Sequence, residues 1–210
     1  MAAVVTNYAG YVNVPIPTGQ VFRTGDEQGW WFDSGSVALD FAHTGGFASE
    51  PELLDETATL TTWVADRFPE VTAAAVDRDL IDARTLRSAI ARIARAIADA
   101  AAPAPEDVDV INLFAATPDI PPVLDGGSRQ AGRSRARIGQ ALAAIGRAAI
   151  QVFDGENLER VRKCSADDCD LVFYDESRSN NRRWCSMQRC GNRAKVRAHR
   201  ARAHPVPDLT

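Results

Sequence analysis

The sequence has no long apolar run and no secretory leader, and each absence excludes a class of protein. No stretch approaches the run of about 18 apolar residues that a membrane-spanning helix needs. The first residues have neither a basic lead nor an uninterrupted apolar segment. With 45% apolar and 25% charged residues among 210, the composition is that of a folded globular chain. We therefore expect a cytoplasmic protein without a membrane span.

Sequence motifs of common enzymes are also absent. The chain has no glycine-rich phosphate loop, no Gly-x-Ser-x-Gly elbow and no His-Glu-x-x-His helix. Histidine is scarce, and two of the three, His199 and His204, lie late in the tail and outside any hairpin that could carry them as catalytic groups. We therefore expect that the protein is not an enzyme.

Carboxylates are missing from one stretch of the chain. Between residues 178 and 204 there are nine Arg or Lys and no Asp or Glu. Residues 1–155 contain 12 Arg and 20 acidic residues, a balance of −8, whereas residues 156–210 contain 12 basic and 8 acidic residues, a balance of +4. Such a charge asymmetry indicates a polyanion-binding module attached to a second unit.

Cysteine is restricted to that basic tail. The spacing is C-x4-C, fifteen residues, then C-x4-C, formed by Cys164, Cys169, Cys185 and Cys190. Four thiolates bind zinc tetrahedrally, so two close pairs supply a closed structural site. The alternatives are two disulfides or unliganded buried thiols. Disulfides are rare in the cytosol, and so polar a tail cannot form a core without a cross-link. The sequence therefore predicts one structural zinc.

Apolar periodicity predicts a mainly α fold. Residues recur at three and four along 51–68, where Pro51 would occupy the first turn, along 80–97, near 107–116 and along 138–152. Residues 36–46 fit either a short helix or a strand. Short strands are predicted at 11–16 and 20–23. The pattern describes a helical bundle of about 150 residues.

The tail predicts a small finger of treble-clef order, in which a β-hairpin precedes a helix. Residues 171–174 are expected to form one strand and 182–184 the returning strand, followed by a helix after Cys190. We divide the chain into an arm or hairpin at 1–29, a helical domain at 30–155, a zinc finger at 156–204 and a tail at 205–210. Because the helical domain has its own apolar faces and no metal ligand, we expect it to fold without the finger.

Two segments carry a family resemblance. The segment CSADDCDLVFYDESRSNNRRWCSMQRCGNRAKVRAHRARA resembles the CGNR zinc finger, named for the tetrad at residues 190–193. Upstream, GSVALDFAHTGG, the helix containing Trp63 and DARTLRSAIARIARAI resemble the ABATE domain, although the family commonly has Asn where this chain has His43. The resemblance implies a stress-induced transcription regulator. In such a protein the finger would bind DNA, and the helical domain would sense a signal or regulate. A small-molecule effector of the helical domain is one option.

The basic residues of the tail are candidate contacts to DNA phosphates. They lie in the predicted hairpin and on two faces of the predicted helix: Arg178, Arg182, Arg183, Arg193, Lys195, Arg197, Arg200 and Arg202. The alternatives are a solvated surface, or an adaptor that binds RNA or protein through the same finger. Arg193, which follows the last cysteine turn, has a structural alternative as a brace of that turn.

Two further expectations concern the remaining polar and aromatic residues. Asp40, His43, Arg84 and Arg87 are candidates for a small polar ligand pocket, the alternative being satisfied buried groups and ion pairs. The finger's aromatic residues could stack on bases, but a miniature core is the preferred interpretation.

Finally, the acidic domain could dock on the basic helix, so we expect the full chain to bind DNA more weakly than the isolated finger.

Overall fold

The computed structural model describes residues 16–22, 29–47, 51–121 and 136–203, with the side chains of Ala201 and Ala203 excepted. These residues form a mainly α structure followed by a small cysteine-containing unit, which confirms the predicted fold class. The helices are α1 (Val37–Ala42), α2 (Thr57–Ala65), α3 (Asp77–Ala98), α4 (Pro105–Ala115), α5 (Ile138–Phe153) and α6 (Asn192–Ala203).

Helix α1 lies in the centre of the bundle, in contact with α3 and α5. All six of its residues are buried, and Ser36 caps its first turn by accepting a hydrogen bond from the Ala38 amide. The ambiguous pattern at 36–46 is therefore a helix. A helix buried on every side needs no polar face, so its sequence lacks the pattern that usually distinguishes a helix from a strand. For this reason the apolar residues of this segment fitted both.

The long helices α3 and α5 follow the predicted periodicity closely. Helix α3 places buried residues such as Leu86, Ile90 and Ile93 on one face, and α5 does the same with Leu142 and Ile145. Neither helix relies on intrinsic propensity alone, because each packs its apolar stripe against the other elements of the core.

Two helix starts differ from the prediction. Helix α2 begins at Thr57, so Pro51 is not a first-turn residue; the preceding segment is held by Arg84, which donates hydrogen bonds to the Leu54 and Asp55 carbonyls. Helix α4 begins at Pro105, slightly before the helix predicted near 107–116. Proline suits a first turn because that position has no intrahelical partner for an amide.

The N-terminal hairpin consists of β1 (Gln20–Phe22) and β2 (Trp30–Phe32), paired antiparallel with Val21 opposite Trp31. The strand predicted at 20–23 is confirmed for its first three residues. Its partner is β2, and this hairpin spans the boundary that the sequence analysis placed after residue 29. The strand predicted at 11–16 lies outside the described residues except for Ile16, which is not in a strand.

The cysteine-containing unit has a different hairpin from the predicted one. Strand β3 (Val161–Lys163) pairs antiparallel with β4 (Val172–Tyr174), and the loop between them carries the first two cysteines. The returning strand predicted at 182–184 is wrong. There the amide of Arg182 donates to the Asp175 carboxylate, at 2.7 Å, and therefore does not enter a strand ladder. A π-helical turn, Met187–Gly191, leads into α6.

The two units share their apolar cores. Val161 and Val172 of the finger belong to the main helical core. In return, Phe22 and Phe32 of the N-terminal hairpin pack in the cluster that contains Cys164, Cys185 and Cys190. The helical domain was expected to fold without the finger, but each unit buries part of its apolar surface against the other.

Buried hydrogen bonds also join the units. His43 Nε2 lies 2.8 Å from the carbonyl oxygen of Val172, and the Tyr174 amide donates to the Ser34 carbonyl at 2.7 Å. Buried polar groups that lose such partners are costly, so these contacts fix the finger in one orientation on the bundle. Within the described ranges no helix is both long and apolar enough to cross a membrane.

Candidate metal centre and basic helix

The four cysteines come from three local structures that place their sulfurs together. Cys164 directly follows β3, and its amide donates to the Leu171 carbonyl at 2.9 Å, which closes the loop that also carries Cys169. Cys185 follows the irregular segment after β4. Cys190 lies in the π-helical turn before α6, so the helix continues directly from the last cysteine.

The sulfur atoms have the spacing of a tetrathiolate metal site. All four lie within 4.8 Å of one another. Cys169 Sγ is 3.6 Å from Cys185 Sγ, which is 3.5 Å from Cys190 Sγ. A tetrahedron with metal–sulfur bonds of about 2.3 Å separates its sulfurs by about 3.8 Å. The four thiols therefore fit one metal ion, and their number leaves no position open for catalysis.

The thiols perturb one another strongly because they are close and partly buried. Hydrogen bonds from the thiols of Cys169 and Cys185 lower the pKa of Cys164, while the Cys164 sulfur and burial raise the pKa of Cys169 and Cys185. If all four cysteines lost their protons, the resulting thiolates would repel one another at these distances. A divalent cation that takes the place of the protons offsets this repulsion. The cluster is thus suited to a cation that binds soft sulfur ligands.

Arg193 braces the metal centre, the structural alternative predicted for it. Its Nη2 donates to Cys190 Sγ at 3.3 Å, and its Nη1 lies 3.0 Å from a carboxylate oxygen of Asp168. The hydrogen bond to Cys190 raises the pKa of Arg193, so the guanidinium stays charged beside the sulfur. One of the predicted phosphate contacts is therefore already engaged within the finger.

Arg197 is also paired within the finger. Its guanidinium lies 3.3 Å from Asp168 and 3.7 Å from Asp167, both in the loop between the first two cysteines. These two ion pairs lie at the surface, where they link α6 to that loop without burying it. The sequence analysis had not assigned Asp167 or Asp168 a role, although two adjacent carboxylates between two ligands of a basic finger are a readable signal.

Arg182, one of the predicted contacts to DNA phosphates, is half-buried and forms hydrogen bonds within the protein. Its guanidinium donates to the carbonyl oxygens of Asp33, Trp184 and Cys185, at 2.8, 3.1 and 2.6 Å, and lies 4.2 Å from the centre of the Phe173 ring. The side chain thus links the N-terminal hairpin, the finger core and a metal ligand. Arginine serves here as a multiple donor to backbone groups.

Replacing Arg182 by alanine is expected to destabilise the protein by about 2–4 kcal/mol, because buried carbonyl oxygens would lose their donors. The matched control is Arg183→Ala. Arg183 is exposed, and its guanidinium carbon lies 5.2 Å from the centre of the Trp184 ring. Urea unfolding of both variants measures the difference, and equal free energies of unfolding would contradict the structural role of Arg182.

The remaining candidate cations are exposed. Arg178, Arg183, Lys195, Arg200 and Arg202 all have exposed side chains, and none forms an ion pair with a described residue. From Lys195 to Arg200, α6 is exposed on every face, so the described acidic residues of the helical domain do not cover it. Docking of the acidic domain on the basic helix is thus not seen among the described residues, and weaker DNA binding by the full chain than by the isolated finger stays a prediction.

The finger's aromatic residues form a core, as the preferred interpretation held. Phe173 is fully buried in the cysteine-containing cluster, and Trp184 packs against the same cluster. Tyr174 packs instead against the main helical core. Base stacking on Phe173 is thereby excluded, since no face of its ring reaches solvent.

The four residues predicted to form a polar ligand pocket do not form one. The carboxylate of Asp40 accepts hydrogen bonds from the Gly19 amide and from the Ser34 hydroxyl, the latter at 2.6 Å. Burial raises the pKa of Asp40, against the effect of these hydrogen bonds. His43 faces the finger, as described above, so these two side chains serve the N-terminal hairpin and the finger interface.

The two arginines of that set bind a loop. Arg87 donates to both carboxylate oxygens of Glu52 and to the Thr44 carbonyl, at 3.0 Å for the latter. Arg84 binds the carbonyls before α2. Hydrogen bonds and ion pairs, the alternative weighed from the sequence, engage all four residues, although Arg87 Nε is a buried donor without a partner among the described residues. Of the four, His43 lines a cavity, together with residues of β1 and of the loop before α2, and the other three do not line it.

Two family models match the chain. The model described as "Putative stress-induced transcription regulator", ABATE, matches residues 35–156, which is more than half of the sequence. The chain belongs to the ABATE family. The model of the CGNR zinc finger matches residues 160–203. Among curated proteins, none matches this chain.

In this member of the ABATE family, the matched finger contains all four cysteines and the whole of α6. The N-terminal hairpin lies before both matched ranges, yet its Phe22 and Phe32 complete the core around the cysteines. Sequence reasoning placed this segment in a separate arm. The signal that could have linked it is its density of large aromatic residues, which a surface arm would leave exposed.

Proposed function

We propose that the protein is a zinc-dependent DNA-binding transcription regulator, in which the CGNR finger contacts DNA and the ABATE domain regulates. The observation that carries the proposal is helix α6, which continues from the last metal ligand and projects three cations without described carboxylate partners, Lys195, Arg200 and Arg202. A helix is well shaped for the major groove, and its cations can neutralise phosphates.

Zinc is the metal that best suits the site. Thiolates are soft ligands, and four of them in tetrahedral array are typical of structural zinc. The role proposed for the ion is to hold the Cys164–Cys169 loop and the turn before α6 in place, so that the helix is presented in a fixed orientation. Elemental analysis of freshly purified protein should find about one zinc per chain, and protein free of zinc would refute this part.

Removing two exposed cations from α6 is expected to weaken DNA binding and its salt dependence. In Lys195→Ala/Arg202→Ala, two phosphate contacts are lost, so the slope of log K against log salt should become shallower by about 1.8. The measurement is a dissociation constant of the zinc-loaded full chain on one duplex at several salt concentrations.

The matched control removes two exposed cations from the helical domain, in Arg78→Ala/Arg137→Ala, and changes the net charge equally. Its slope should equal that of the unmodified protein. If both double variants behave alike, α6 is not the DNA-binding element. Tighter binding to single-stranded RNA than to duplex DNA would favour the adaptor function instead.

A further inference from the structure

A cavity lies at the end of the helical bundle that faces the start of the finger. Its volume is about 770 Å³, and its walls are mainly apolar side chains of three helices: Ile93, Ile97, Val108, Ile111, Ile150 and Phe153. Volumes of about 300–1,000 Å³ are typical of pockets for small molecules. This cavity is separate from the cysteines and from the four residues once predicted as a polar pocket.

The cavity leaves large apolar side chains in contact with water. Val108 is 40% exposed, Ile150 42% and Leu158 36%, and all three line the cavity. They come from α4, from α5 and from the 3-10 turn Leu158–Arg160. Apolar surface gathered into one concave site binds an apolar ligand favourably, because the ligand removes that surface from water.

The polar groups around the cavity are acidic or neutral. They are the carboxylates of Asp154 and Glu159 and the amide of Asn112, and among the described residues no Lys, Arg or His contributes to the lining. The C-terminal ends of α3, at Ala98, and of α5, at Phe153, also meet there and carry partial negative charge, whereas the start of α4, at Pro105, carries an opposing partial positive charge. The two carboxylates therefore make the site favour a cation and disfavour an anion.

We propose that this cavity is a binding site for an apolar organic cation. Such a site is additional to the metal centre and to the proposed DNA-binding helix. The apolar body of such a ligand would cover Val108, Ile150 and Leu158, and its charge would lie near Asp154 and Glu159. Fatty acids and phosphorylated metabolites are excluded as preferred ligands, since nothing in the lining neutralises their charge.

The position of the cavity connects it to the finger. Leu158 and Glu159 lie in the turn whose next residue, Arg160, donates through Nη1 to the carbonyl oxygens of Asp175 and Ser177, at 2.7 and 3.1 Å. Strand β3 begins immediately after Arg160 and ends next to Cys164. A ligand in the cavity thus contacts the helical domain and the first segment of the finger together.

The test uses tetraphenylphosphonium and tetraphenylborate, two ions of nearly the same shape and opposite charge. Isothermal titration of the zinc-loaded full chain is expected to show binding of the cation at least about tenfold tighter than of the anion. Absence of cation binding, or equal affinity for the two ions, would overturn the proposal. DNA is not part of the measurement, so the result is independent of the proposed regulator function.

Variants assign the binding to this cavity. Asp154→Asn/Glu159→Gln should reduce the preference for the cation, whereas Ile150→Ser should weaken the binding of the cation by removing part of the apolar wall. The control is Leu113→Ser on α4, because Leu113 is 72% exposed and lies outside the cavity lining. Thermal melting verifies that the variants fold. If the control weakens binding as much as Ile150→Ser does, the cation binds elsewhere and the proposal fails.

Discussion

Removing the metal proposed to bind the four cysteines, with a strong chelator, is expected to loosen the N-terminal hairpin and α1 together with the finger. Structural zinc binding by finger peptides is worth on the order of 10 kcal/mol, which is comparable with the whole stability of a domain. Because Phe22 and Phe32 pack in the cluster formed by the cysteines, they lose their partners when the finger unfolds. His43 likewise loses the Val172 carbonyl beside its buried ring.

Hydrogen exchange resolved by segment measures this effect. Amides in β2 and α1 should exchange faster after chelation, along with those of residues 161–191. The variant Cys185→Ser should give the same pattern, and Ser165→Ala, an exposed residue between two ligands, should leave it unchanged. Protection that is lost only in the finger would restore the view that the helical domain folds alone.

A second large effect is expected from Phe32→Ala, which removes a fully buried ring between the hairpin and the finger. The ring lies 5.7 Å from Phe22 and 5.0 Å from His43, measured between ring centres. Replacing a buried phenylalanine by alanine costs about 3–5 kcal/mol. The finger should also release zinc to a chelator faster, because its core loses one wall.

Trp31→Ala is the matched control, since Trp31 is the next residue of the same strand, points to the opposite face and is 59% exposed. Its effect on the free energy of unfolding should be below about 1 kcal/mol. Urea unfolding and chelator competition are the two measurements. If both variants lose the same stability and release zinc at the same rate, the aromatic cluster does not support the metal centre.

Local patterns predicted the elements whose residues are close in sequence. Apolar spacing predicted α3 and α5, because each helix buries one continuous stripe. The strand at 171–174 was predicted from its apolar run, but its partner β3 was not, because three residues with one buried side chain give no recognisable alternation. The start of α2 was placed too early because helix-like spacing continues into a segment that Arg84 holds in another conformation.

Contacts between residues far apart in the sequence determine which basic side chains remain exposed and able to bind DNA. A local sequence pattern does not show these contacts. Arg182 and Arg183 are neighbours with the same side chain, yet Arg182 binds the Asp33 carbonyl 149 residues earlier in the chain, while Arg183 is exposed. The cysteine spacing, by contrast, predicted that the four sulfur atoms cluster, because two close pairs of soft ligands can meet whatever the route of the chain between them.

The contact between the N-terminal hairpin and the finger constrains how the chain folds during its synthesis. Asp33 leaves the ribosome 149 residues before Arg182, its hydrogen-bonding partner. At about 5–20 residues per second, this interval lasts about 7–30 s. Throughout it, Phe22 and Phe32 have no finger to pack against. The nascent chain therefore exposes these aromatic side chains to water until the cysteine-containing unit is made and has bound metal. Chaperones can bind the exposed aromatic surface during this interval.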